Sequence, residues 1–108
     1  MIDLIESNRD RIEALCRENN IAALWIFGSA AKGTWNPDTS DIDFLVDVGE
    51  YDDRVAQRFM RLAAGLEQTL QHPFDLLTIR QLKRPEFRAE VLATRELVFE
   101  RERAALAG

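Results

Sequence analysis

The chain has almost none of the residues that build disulfide-bonded or zinc-stabilised folds. It has one cysteine, Cys16, and one histidine, His72, in 108 residues. A single cysteine excludes an internal disulfide and a cysteine-based zinc site, and its apolar helical setting predicts a packed thiol. No run of about 18 apolar residues occurs, and no basic region precedes an apolar core at the start. We therefore expect one soluble, cytoplasmic domain spanning residues 1–108, with no membrane contact.

Basic residues are outnumbered by acidic ones. The chain has 14 lysines and arginines against 19 aspartates and glutamates, which gives a formal net charge of −5. Surfaces that bind polynucleotides need clustered lysine and arginine, so we expect no direct binding of long nucleic acids. Acidic residues gathered in a cleft instead suit a divalent cation, and that cation can then receive the phosphates of a nucleotide.

Hydrophobic periodicity predicts a chain of mixed helices and strands. The pattern indicates helices over residues 2–19, 52–71 and 84–94, and strands over residues 21–27, 41–48 and 73–79. The segment "ELVFE" at residues 96–100 fits either a short edge strand or a continuation of the preceding helix, and its pattern does not decide between them.

A glycine-serine step follows the first predicted strand, in "FGSAAKG". Gly28 allows a sharp turn and the close approach of an anion. The hydroxyl of Ser29 and the free N–H groups at the start of the next helix can donate to phosphate oxygens. The same step is also a common strand-to-helix turn with a serine cap, so it does not identify a site by itself.

Two aspartates begin the second predicted strand, in "SDIDFLVD". Asp41 and Asp43 are two residues apart, so on an extended strand they point to the same side. Paired carboxylates of this kind can hold Mg²⁺ ions against a triphosphate, although a solvated strand face would carry the same pattern. A third carboxylate, Asp75, begins "DLLTI", and a neighbouring strand can bring it beside the pair. Its alternative role is to cap the turn at His72 and Pro73.

These three elements, in this order, resemble a known superfamily. "FGSAAKG", "SDIDFLVD" and "PFDLLTI" are similar to the Gly-Ser, Asp-x-Asp and third-Asp elements of the DNA polymerase beta nucleotidyltransferases. The short length and "LKRPEFRAEVLATRELVFE" resemble the minimal (MNT) members. The resemblance covers nearly the whole chain. It implies an α/β (α+β) fold, in which a mixed β-sheet is flanked by α-helices in a single small domain.

The resemblance also implies a chemistry and a set of roles. The reaction is transfer of AMP from ATP to an acceptor hydroxyl, assisted by two Mg²⁺ ions. The implied nucleotide-binding residues are Gly28, Ser29, Lys32, Asp41 and Asp43, and the implied metal-binding and catalytic residues are Asp41, Asp43 and Asp75. The sequence departs from the family at Ala30, where an arginine is common, while Lys32 keeps a base nearby.

The minimal members imply a protein partner. They are commonly paired with a HEPN-domain ribonuclease toxin, so the resemblance implies an antitoxin that adenylylates (AMPylates) that toxin. Two alternatives stay open: a non-catalytic antitoxin that blocks its partner by complex formation, and a nucleotidyltransferase acting on a small molecule.

Two ring side chains near these motifs are assigned structural roles. Trp35 could stack on a base, but a tryptophan beside Pro37 more often folds its own loop down. His72 could be a general base, but its place before Pro73 predicts a turn residue.

Overall fold

The chain forms five α-helices and four β-strands within the part that the computed structural model describes, residues 1–102; residues 103–108 of the predicted domain lie outside the described residues. The helices are α1 (Asp3–Glu6), α2 (Arg9–Glu18), α3 (Ser29–Lys32), α4 (Val55–Leu70) and α5 (Pro85–Thr94). The strands are β1 (Ala23–Phe27), β2 (Ile42–Asp47), β3 (Phe74–Thr78) and β4 (Glu96–Glu100), and a 3₁₀ turn, Ile79–Gln81, follows β3.

The strands form one mixed sheet in the order β3-β2-β1-β4. Strand β1 is antiparallel to both β2 and β4, whereas β2 and β3 are parallel. A parallel pair needs a long crossover connection, and α4 provides it between β2 and β3. The mixed sheet with flanking helices confirms the predicted fold class.

Apolar side chains cover both faces of this sheet. On one face, residues of α1, α2 and α4 pack against Leu24, Ile42 and Phe44 in the main core. On the other, a smaller cluster joins Phe27 and Leu45 to Leu82 and Val91, so α5 closes this side. Because side chains alternate along a strand, Asp43 lies on the same face as Leu45, at the end of the smaller cluster.

The structure resolves the open assignment of residues 96–100 in favour of a strand. Strand β4 pairs with β1, from Ala23 opposite Glu100 to Ile26 opposite Glu96. Strand β4 buries Val98 and Phe99 in the main core.

The first predicted helix, over residues 2–19, is divided into α1 and α2. The hydroxyl of Ser7 donates to the carbonyl of Asp3 and the amide of Asn8 donates to the carbonyl of Leu4, each at 2.8 Å. Side chains that bond to the backbone in this way compete with helix continuation, so the chain bends between the two helices. Helix α4 begins at Val55 rather than at residue 52.

Cys16 is fully buried in the main core, as predicted for a packed thiol. Burial raises the pKa of its thiol to about 12. The thiolate form is therefore suppressed at neutral pH. In residues 1–102 no helix is both long enough and apolar enough to cross a membrane.

Candidate active site

The turn after β1 lies directly against Asp43. Phe27 is the register partner of Asp43 in the antiparallel pair, so the next residue, Gly28, leaves the sheet beside that carboxylate. Gly28 has φ 65° and ψ −146°, a conformation that is essentially restricted to glycine. A Cβ atom placed on Gly28 would lie 2.5 Å from Oδ2 of Asp43. Glycine therefore lets the turn approach the carboxylate closely.

The structure brings Asp75 next to Asp43. The two residues are register partners across the parallel pair of β2 and β3. Adjacent strands are about 4.8 Å apart and partner side chains point to the same face. Asp41 is two residues before Asp43, just outside the first residue of β2, and is exposed. All three carboxylates are therefore at one end of the parallel pair of β2 and β3.

The electrostatics of the site reflect this crowding. Burial, then the Asp75 carboxylate, then the Asp41 carboxylate raise the pKa of Asp43 above its usual value. Neighbouring negative charges disfavour a second ionised carboxylate, and no positive charge within residues 1–102 lowers the pKa of Asp43 in return. Within residues 1–102, none of the three carboxylates accepts a side-chain hydrogen bond or forms an ion pair.

The residue types present fit a hard divalent cation. Carboxylate oxygens are the ligands that Mg²⁺ prefers, and a cation would relieve the repulsion that raises the pKa of Asp43. As the side chains are placed, no group of three histidine, cysteine, aspartate or glutamate residues in the described part of the chain is arranged around a common point for an ion. The residue types thus fit the metal, although in residues 1–102 they do not form a group of three that could hold it as placed.

Helix α3 places the remaining predicted residues beside the turn. Its first backbone bonds run from the N–H groups of Ala31 and Lys32 to the carbonyl of Gly28, so the N–H groups of Ser29 and Ala30 precede the intrahelical pattern. Ser29 is half-buried, and Ala30 is buried in the main core. The Lys32 ammonium forms an exposed ion pair with Glu90 of α5, with 2.8 Å between Nζ and Oε1. Lys32 is therefore directed towards α5 in this structure.

The contacts of Trp35 and His72 were not foreseen from the sequence. Trp35 packs against the main core, and its ring centroid is 5.1 Å from that of His72. His72 lies in the connection before β3, as predicted, and its Nε2 is 2.8 Å from the carbonyl oxygen of Ser40. No local sequence pattern indicates the contact between His72 and Ser40, because 32 positions separate these two residues.

Comparison with known proteins gives a consistent match. The model of a family described as "Polymerase beta, Nucleotidyltransferase" matches residues 10–104. That range includes the glycine-serine turn and all three aspartates. No curated protein is significantly similar to the chain in sequence.

Solved structures share the fold over most of the chain. A candidate minimal nucleotidyltransferase is 29% identical with a TM-score of 0.70, over 88% of this chain and 95% of its own. A variant of the MntA–HpeT toxin–antitoxin complex is 25% identical with a TM-score of 0.60, over 89% of this chain and 75% of its own. A complex of tri-AMPylated Shewanella oneidensis HEPN toxin with MNT antitoxin is 21% identical with a TM-score of 0.57, over 89% and 72%. The last likeness concerns the fold alone.

Proposed function

Because the chain belongs to the polymerase beta nucleotidyltransferase family, we propose that it is a Mg²⁺-dependent enzyme that transfers AMP from ATP to a protein hydroxyl. The observation that carries the proposal is the register of the parallel strands β2 and β3. It sets Asp75 beside Asp43, and Asp43 against the Gly28 turn. The carboxylates that would bind cations are therefore adjacent to the turn that would bind phosphates.

In this proposal Asp41, Asp43 and Asp75 hold the metal ions. Bound Mg²⁺ supplies neutralisation of the triphosphate and of the departing pyrophosphate. Asp43 is the central ligand, because it is next to both of the other carboxylates. The crowded charges that disfavour ionisation in the free protein would be compensated when the nucleotide-bound cations are present.

The other residues orient the reactants. The hydroxyl of Ser29 and the N–H groups at the start of α3 donate to the terminal phosphates, at the place where Gly28 permits close approach. Asp75 is exposed on the edge strand β3, so an acceptor hydroxyl can reach it from solvent. The acceptor oxygen bonds to the α-phosphorus while the bond to pyrophosphate breaks, and its proton is accepted at the Asp75 carboxylate.

We further propose that the acceptor is a HEPN-domain toxin and that the chain is its antitoxin. The likeness to a chain of the MntA–HpeT toxin–antitoxin complex supports the pairing. The MNT-bound HEPN toxin of Shewanella oneidensis is tri-AMPylated, which is the modification proposed here. A cytoplasmic location is part of the same proposal.

A second candidate is a non-catalytic antitoxin that blocks its partner by complex formation. Two observations favour it. Ala30, at the position where relatives commonly carry a base, is buried and offers no charge, and the nearby Lys32 is paired with Glu90. Without a cation facing the phosphates, binding of ATP would be weaker.

The two candidates are separated by the intact mass of the partner. The chain, ATP and Mg²⁺ are incubated with a HEPN toxin, and the toxin is weighed. Transfer predicts one or more added AMP units, which are lost in Asp43→Asn and in Asp75→Asn. Asp47→Asn is the matched control, since Asp47 is on β2 but bonds to the N–H of Gly49 at 2.9 Å. If the parental chain adds no mass to the toxin and both variants still inhibit it, the blocking role is established and transfer is rejected.

A further inference from the structure

Asp41 is held from both sides by consecutive residues of the segment that leads into β3. The N–H of Ile42 donates to the carbonyl of Pro73 at 3.1 Å. On the other side of Asp41, the carbonyl of Ser40 is 2.8 Å from Nε2 of His72. A carbonyl oxygen can only accept, so Nε2 carries the hydrogen and donates it. The backbone around Asp41 is thus attached to the strand that carries Asp75.

The His72 bond extends this attachment beyond the end of the sheet. Strand pairing between β2 and β3 begins with Ile42 opposite Phe74, so Ser40 and Asp41 lie outside the ladder. Asp41 ends a long connection that contains Pro37, and loops of this kind are the less stable parts of a fold. There the hydrogen bond from the His72 side chain holds the chain beside the β3 segment, as backbone pairing does further along β2.

The His72 ring is itself fixed by the same connection. It is half-buried and packs against Trp35 with an angle of 51° between the ring planes. Trp35 in turn packs against the main core. The ring therefore has one preferred position, and its donor is aimed at Ser40 before any ligand binds.

We propose that His72 is a positioning residue that holds Asp41 in place beside Asp43 and Asp75. Its Nε2–H and the carbonyl of Pro73 fix the backbone on either side of Asp41, and the tilted ring contact with Trp35 fixes the ring. The proposal rests on the proposed function for the role of Asp41 in catalysis, but the positioning of the backbone can be measured independently of it. Loss of a group that orients a metal ligand commonly lowers metal affinity or activity by about 10-fold to 100-fold.

Two substitutions separate the donor from the ring. His72→Gln keeps an N–H donor at a similar reach and loses the aromatic ring. His72→Phe keeps a ring against Trp35 and loses the donor. Amide hydrogen exchange and thermal midpoints are measured on both variants and on the parental chain without nucleotide. Loss of one hydrogen bond corresponds to about 10-fold faster exchange. We expect this change at the N–H of Ile42, which bonds to the carbonyl of Pro73, in His72→Phe, and parental rates in His72→Gln.

Transfer to the partner is then measured as a function of Mg²⁺ concentration. We expect His72→Phe to lower kcat by about 10-fold to 100-fold and to raise the Mg²⁺ concentration for half-maximal rate. His72→Gln should keep most of the parental rate because it keeps the donor, even if its midpoint falls further because it loses the ring contact with Trp35. A purely structural role predicts the reverse, with activity following the thermal midpoint in both variants.

The outcomes distinguish this proposal from the proposed function. Unchanged exchange at the N–H of Ile42 in His72→Phe rejects the positioning role whether or not the chain is an enzyme. Faster exchange with equal transfer rates in the two variants also rejects it. If the parental chain transfers nothing, the proposed function fails, and the exchange rates alone decide whether His72 holds Asp41.

Discussion

At the scale of single residues, Gly28 is the position where the backbone and the proposed catalytic geometry constrain each other most directly. Its φ of 65° is unfavourable for other residues, and its Cβ position is occupied by the Asp43 carboxylate. In a Gly28 variant, the backbone strain and the collision of the new Cβ with Asp43 would have different effects. Backbone strain lowers stability, whereas displacement of a short carboxylate changes the site.

Gly28→Ala should therefore lose far more activity than stability. We expect a loss of about 1–3 kcal/mol in the free energy of unfolding and a fall of about 100-fold in kcat. Urea denaturation and the transfer assay measure the two effects. Gly33→Ala is the matched control, because Gly33 also has a positive φ, 81°, but no atom within 4 Å of its Cβ position. Equal losses of activity in the two variants would contradict the assigned role of Gly28.

Asp43 should also control how the stability of the metal-free chain depends on pH. Its pKa is raised in the folded state, first by burial and then by Asp75 and Asp41. The folded state thus binds the proton more tightly than the unfolded state. Below the ordinary aspartate pKa, Asp43 is protonated in both states and does not lower the free energy of unfolding. As the pH rises through the raised folded-state pKa, the ionised Asp43 carboxylate destabilises the folded state.

Asp43→Asn should for this reason raise the thermal midpoint at pH 7 in the presence of a chelator. The advantage should shrink as the pH falls towards the ordinary aspartate value, because the parental carboxyl becomes neutral as well. Midpoints from calorimetry across this range measure the trend. A variant that is less stable than the parental chain at pH 7 would show that the carboxylate is stabilised by a contact that the structure does not show.

At the scale of secondary-structure elements, Arg58 attaches helix α4 to two connections. Its guanidinium donates to the carbonyl of Val48 at 2.7 Å and to that of Glu50 at 2.6 Å, in the segment between β2 and α4. It also donates to the carbonyl of Asn20 at 3.2 Å, in the segment between α2 and β1. Only 12% of the Arg58 side chain is exposed, and its bond to Val48 is partly buried, so water would replace that bond poorly if Arg58 were lost.

Arg58→Met should lower the free energy of unfolding by about 2–3 kcal/mol. Arg58→Lys should recover less than half of the loss, because an ammonium cannot span the same carbonyls. Arg61→Met, on the exposed side of α4, is the control and should change stability by less than about 0.5 kcal/mol. A loss in Arg58→Met no larger than in Arg61→Met would show that Arg58 does not join the elements. Urea denaturation decides this.

The sequence was sufficient for the elements whose signal is local. The strands at Ala23–Phe27, Ile42–Asp47 and Phe74–Thr78 follow from apolar runs between turn residues. Residues 96–100 stayed ambiguous because five residues satisfy either period. Only pairing with β1 decides the outcome, and β1 is about 70 positions or more away in sequence. The break between α1 and α2 depends on the side-chain bonds of Ser7 and Asn8, which the apolar pattern does not register.

The same distinction applies to the site. The spacing of Asp41 and Asp43 is local, and the position of Asp75 at the start of a strand made its pairing with Asp43 predictable. The contact of Lys32 with Glu90 spans 58 positions, so nothing in the sequence around Lys32 indicates it. Long-range side-chain contacts of this kind depend on where α5 packs, and that placement follows from the whole core.

At the scale of the whole molecule, the charge balance limits the partners. A net charge of −5 is unfavourable for a polyanion, while a nucleotide can be received through cations at the carboxylates. We expect no binding of labelled duplex DNA or of single-stranded RNA up to about 100 µM protein at low salt. Fluorescence anisotropy measures this. Saturable binding that weakens steeply with salt would contradict the expectation.

The central claim is that three carboxylates from two strands form one cation and nucleotide site at the Gly28 turn. Its most direct test is anomalous diffraction from crystals of the chain grown with Mn²⁺ and a non-hydrolysable ATP analogue. We predict Mn²⁺ peaks bounded by the carboxylates of Asp41, Asp43 and Asp75, with the terminal phosphates against Gly28 and Ser29. Nucleotide bound elsewhere, or bound there with no Mn²⁺ at these three residues, would contradict the claim.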